Sequence, residues 1–171
     1  MEERAAEPDG SGDVPDPVGD AEDIETAEDA EGSSEAEDTE GTEDAEARAA
    51  MRVRLLEAAP EAVRSRVAEL TAEAVGHLPV TDLPPPIRAV ARFAPAKRAR
   101  AGAGPLLAAV GAAVGFADQV VDWWCEERPG RWHPDAPEPA HAAAVAVLEG
   151  REEGSGLLRD VGERAEARRA R

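Results

Sequence analysis

The chain has 171 residues, 37 acidic and 19 basic, with a formal net charge of −18 and only 3% aromatic residues. Residues 1–46 hold 20 acids and one base, Arg4, a net of −19, while residues 47–171 hold 17 acids and 18 bases, a net of +1. This split excludes a uniformly acidic globule and describes a polyanionic arm joined to a nearly neutral, Arg-rich body.

Residues 1–46 read as a long disordered acidic N-terminal arm. After Met1, only Val14, Val18 and Ile24 are large and apolar, too little area to offset conformational entropy and charge repulsion. The arm either occupies the basic patch described below, as a self-inhibitor, or only aids solubility. The start, Met1-Glu2-Glu3-Arg4, has no basic stretch or apolar run, so no secretory signal is expected. The single cysteine, Cys125, forms no internal disulfide, and a cytoplasmic setting fits best.

The body spans 47–130, with a core expected at about 57–129. A helix is expected from about Glu43 to Ala59, with Met51, Leu55 and Ala58 on one stripe. Pro60 then suits a first helical turn. Val63, Val67, Leu70 and Ala74 recur at four, three and four residues, which predicts an amphipathic helix ending at Gly76. The Pro-rich connector 77–86 forbids a continuing helix. Asp82 is placed to cap a short helix with Ile87, Val90 and Ala91 inward and Arg88 and Arg92 outward. Pro95 breaks that helix and opens another, bent near Gly102-Ala-Gly104-Pro105. The 17 uncharged residues between Arg100 and Asp118 are mainly Ala and Gly, too weakly apolar for a membrane span of roughly 20 residues. A buried helix or helix pair is expected there. Phe116, Val120, Trp123 and Trp124 give a further amphipathic helix, ended by Pro129-Gly130. Residues 131–138 read as a Pro-rich linker and 139–171 as one or two peripheral helices. No run alternates like a strand, so the fold class is all-α, a small bundle of short helices. A core of that size is marginal, and a partner or homo-oligomer would add burial.

Most chemistry fails at the level of spacing. His77, His133, His141 and Cys125 offer no compact metal-ligand pair, so no metal or cofactor is expected. Cys125 follows two tryptophans and reads as packing rather than nucleophile. Asp118, Asp122 and Glu126 are spaced i, i+4, i+8; a solvated helix face explains them better than a metal site. Gly102-x-Gly104 has Leu107 where a dinucleotide fingerprint needs its third glycine, and close helix packing accounts better for these glycines.

The basic segment is different. No acid occurs between Asp82 and Asp118, while Arg88, Arg92, Lys97, Arg98 and Arg100 fall within 13 residues. Arg88 and Arg92 are one turn apart. Cations at the start of the next helix oppose its macrodipole, which favours a ligand over stabilisation as their reason. Phosphate is the natural ligand, and Phe93 stands among them either as a core anchor or as a stacking surface for a base.

Val63-Arg-Ser-Arg-Val67, Leu78-Pro-Val-Thr-Asp-Leu-Pro84 and Ile87-Arg88-x-x-Ala91-Arg92-Phe93-Ala94-Pro95-x-Lys97-Arg98-Ala99 resemble the N-terminal helical region of actinobacterial NYN-domain (PIN-like) RNA-binding proteins. The similarity covers about 60–129 and, weakly, 139–149. In that family the helical module precedes a coiled coil and a nuclease-type α/β domain. The present sequence ends at Arg171 without such a domain, so the resemblance implies RNA and carries over no catalytic residue. Here Gly102–Phe116 is also richer in Ala and Gly than the family's more polar segment. The expectation is a non-enzymatic RNA-binding helical module, without a membrane association, that contacts phosphates through Arg88, Arg92, Lys97, Arg98 and Arg100, with Phe93 beside them. Two alternatives remain: an adaptor whose patch docks an acidic protein, or a split accessory to a separate NYN-type nuclease or other RNA-processing partner.

Overall fold

The computed structural model describes residues 34–133 and 135–171. It is all-helical: α1 Ser34–Ala58, α2 Glu61–Val75, α3 Pro85–Ala91, α4 Pro95–Ala101, α5 Ala103–Ala112, α6 Phe116–Glu127, a single 3-10 turn Pro129–Arg131, α7 Pro139–Glu149 and α8 Gly154–Arg169. No strand occurs among the described residues. Helix α1 begins at Ser34, so the last residues of the arm expected at 1–46 fall within its first turns; residues 1–33 lie outside the described residues.

Proline and glycine punctuate the helices largely as the sequence implies. The Pro60 carbonyl accepts from Val63 and Arg64 at 2.9 and 3.0 Å and so starts α2. Gly76 follows its last turn, its N–H donating back to the α2 C-terminus. Pro84 occupies the N-cap of α3, and Asp82, expected there, instead accepts a hydrogen bond from the Thr81 hydroxyl at 2.9 Å. Gly115 and Gly150 take positive φ at a helix start and a helix end. At Gly150 the Arg151 N–H reaches the Ala146 carbonyl at 3.0 Å, a bond that only a left-handed residue after the helix allows.

The inward stripe of α1 differs from the expected one. Leu55, Leu56 and Ala59 are buried, Ala58 is exposed, and Arg52 is drawn inside. Its Nε donates to the Leu148 carbonyl at 2.8 Å and its Nη1 to Asp118 at 3.3 Å, so the charge enters the core already paired.

The largest correction concerns α7, which the sequence placed at the periphery. Every residue from His141 to Leu148 is buried. This helix packs against α2, α8, α1 and α6. Four alanines in that run leave so little side chain that several helices approach one axis closely. The core therefore extends far beyond 57–129, and the small-core argument for a partner or homo-oligomer loses its premise. The expected linker 131–138 is tied to the core at one of its described positions. Trp132 is buried, and its indole N–H donates to Glu149 Oε1 at 2.9 Å. Among the described residues no single helix is long and apolar enough to cross a membrane.

Candidate nucleic-acid interface

Helices α3 and α4 carry the basic segment. Each starts on proline, whose fixed φ suits a first turn. Ile87 and Val90 anchor α3 in the core, and Gly102 at the end of α4 sits against Val90, where a Cβ would collide with it. Anchored this way, the outer surfaces of the pair present Arg88, Arg92, Lys97 and Arg100, all exposed.

Their environments differ. Arg88 folds back on the connector, its Nε donating to the Leu83 carbonyl at 3.0 Å and its Nη2 to the Thr81 carbonyl at 3.3 Å. That fixes the guanidinium and leaves further donors unspent. Lys97 holds its ammonium 4.9 Å from the centre of the Phe93 ring. Phe93 is half-buried against the core, so the core-anchor reading accounts for much of it. The ammonium covers the ring, and a base reaching it has to displace Lys97. None of the four exposed cations has a carboxylate within ion-pairing distance among the described residues. Elsewhere Arg66 pairs with Glu69, Arg128 and Arg131 with Glu73, and Arg151 with Glu149; Arg54, Arg159, Arg164, Arg168 and Arg169 are exposed without an ion pair among the described residues, but in stretches that also hold acids.

Arg98 is a correction. Expected at the phosphate surface, it is buried. Its Nη1 donates to the Ala72 carbonyl in the last turn of α2 at 2.9 Å, and its Nη2 to the Phe93 and Ala91 carbonyls at 3.2 and 3.4 Å. Helix C-termini leave carbonyls unpaired and carry partial negative charge, and one guanidinium serves two such ends. The same group packs against Gly76, where a Cβ would strike Nη1. Arg98 is thus a clamp that positions α3 and α4 on α2.

The carboxylate stripe is broken by the same kind of pairing. Asp118 lies on the Arg52 guanidinium, whose hydrogen bond and charge hold its carboxyl below the ordinary 3.8 despite partial burial, while Asp122 and Glu126 are exposed. No group of three or more His, Cys, Asp and Glu side chains among the described residues is arranged to hold a metal ion. Cys125, read as packing, is exposed instead; desolvation first, then the charges of Glu149, Asp122 and Glu126, push its thiol up from 9.0, away from the reactive thiolate.

Sequence reasoning missed an aromatic feature nearby. His77, set aside in the sequence as a metal ligand, stacks on Trp123 with ring centroids 4.9 Å apart and planes 14° from parallel. The two residues lie far apart in the chain, and no local pattern joins them.

No protein-family model, curated protein or solved structure matches the chain.

Proposed function

We propose that this chain is a non-enzymatic, cytoplasmic RNA-binding module, of a lineage shared with NYN-type RNA-processing proteins. In this reading it contacts phosphates through Arg88, Arg92, Lys97 and Arg100. One observation carries it: four exposed cations sit together on adjoining short helices, in a stretch of sequence without acids and with no carboxylate partner among the described residues. Each phosphate contact releases counterions, so affinity falls with salt in proportion to the number of contacts.

The test is an electrophoretic shift with total RNA across a salt series, repeated with the Arg92→Ala/Lys97→Ala/Arg100→Ala variant. With single strands, removing three contacts lowers the salt slope by about 2 and weakens binding for every sequence alike. If the parent chain shifts no RNA even at low salt, the RNA reading fails. The adaptor for an acidic protein surface would then be left to explain the same cations.

A further inference from the structure

We propose that His77 and Trp123 form a base-stacking platform continuous with the α3–α4 cations, and that the RNA taken is therefore single-stranded. The inference rests on the phosphate-binding reading above and adds where the bases go.

The three tryptophans divide cleanly. Trp124 and Trp132 are 1% and 7% exposed, and both spend their indole N–H groups, on the Leu70 carbonyl at 3.1 Å and on Glu149 at 2.9 Å. Trp123 is only half-buried, and its indole N–H donates to no described residue. One of its faces supports His77, which is exposed. The stack therefore ends in an imidazole face turned to solvent, over an indole that holds it parallel.

Its place in the fold joins it to the cations. His77 follows Gly76, and Gly76 abuts the Arg98 guanidinium, which also holds the carbonyl of Phe93. Arg92 and Lys97 flank that same turn between α3 and α4. On the Trp123 side, Glu126 and Glu127 lie one helical turn beyond the indole, whereas Glu73 is neutralised by Arg128 and Arg131. A strand with one base on His77 has cations without carboxylate partners among the described residues, Arg92 and Lys97, at the adjoining turn for its phosphates. Duplex bases have both faces covered by their neighbours, whereas unpaired bases stack readily on exposed aromatic rings.

Trp123 reports on its own site, because it is the partly exposed tryptophan of the three. The full chain is titrated with a short oligoadenylate, with the corresponding duplex and with inorganic polyphosphate, following tryptophan emission and affinity. Oligoadenylate should change the emission, and the duplex and polyphosphate should not. His77→Ala, a change at an exposed side chain, and Trp123→Leu should each weaken oligoadenylate binding by roughly tenfold and leave polyphosphate binding unchanged. Thermal melting checks both variants, and His77→Ala alone suffices should Trp123→Leu unfold. Unchanged oligoadenylate affinity in the folded variants, or an equal loss for polyphosphate, overturns the platform while the phosphate reading stands. If the parent binds neither oligoadenylate nor polyphosphate, both proposals fall.

Discussion

The Nδ1 atom of His141 accepts from Arg66 twice, from Nε at 3.1 Å and from Nη2 at 3.0 Å. An arginine can only donate, so this imidazole is neutral and carries its proton on Nε2. Burial first, and then the Arg66 charge, lower its pKa from 6.5, opposed by a backbone hydrogen bond at Arg131 and by Glu138. The folded state thus resists a proton that the unfolded chain accepts. Stability from this group is complete above about pH 6.5 and is lost as pH falls through the lowered folded value. Thermal melting from pH 8 to pH 5 should show a decline below that point. His141→Gln, which keeps an acceptor and cannot be protonated, should flatten it; an equal decline in the variant would assign the acid sensitivity elsewhere.

Arg98 and Arg92 make a contrasting pair within one basic run. Arg98→Met strips partners from carbonyls at the ends of α2 and α3 and should cost about 2–4 kcal/mol. Arg92→Ala removes an exposed side chain and should alter stability by no more than about 0.5 kcal/mol while weakening RNA binding. Urea denaturation and the RNA shift, measured on both variants, separate the two roles. A stable Arg98→Met protein would show that the clamp is dispensable.

Two glycines should respond in opposite directions to alanine. At Gly150, φ is +67°, and a Cβ would lie 2.8 Å from the Arg48 carbonyl oxygen. Gly150→Ala should therefore destabilise by about 2 kcal/mol or more. At Gly111 in α5 a Cβ would meet Leu56 and Val53 at 3.6 and 3.7 Å, ordinary contact distances. Gly111→Ala should gain about 0.5 kcal/mol from reduced chain entropy. Melting temperatures of the two variants read both signs directly.

A fragment of residues 47–130 contains the core expected from sequence but lacks α7. It should not fold cooperatively, since the α2 face that meets α7 would be open to water. Circular dichroism should show reduced helicity and a shallow melt, against a sharp transition for the full chain. A sharp melt for the fragment would return α7 to the periphery.

What the sequence revealed follows from how each helix is buried. Helices α2 and α6 have one wet face, so Val63, Val67 and Leu70, or Phe116, Val120 and Trp124, recur with helical period and are easily read. Helix α7 has almost no wet face, and its Ala-His-Ala-Ala-Ala-Val-Ala-Val-Leu run has no stripe to find. A helix buried all round gives no periodic signal. The exposed half of the basic segment was legible because absence of acid is a property of composition. Arg98 was not, because nothing in Lys97-Arg98-Ala-Arg100 says which guanidinium turns inward to find carbonyls. His77 and Trp123 meet only through tertiary packing, and pairs of that kind leave no trace in local spacing.

The central position of α7 also bears on how the protein is made. Helix α2 packs on α4, α5 and α6, and also on α7, which begins at Pro139, more than 60 residues after α2 ends. At roughly 5–20 residues per second of synthesis, the side of α2 that meets α7, where Arg66 reaches His141, waits several seconds for neighbours not yet translated. Local helices close early, and the decisive contacts close last. During that interval the emerging chain shows ribosome-associated chaperones an open apolar face, so premature termination before Pro139 should yield a product prone to aggregation and proteolysis.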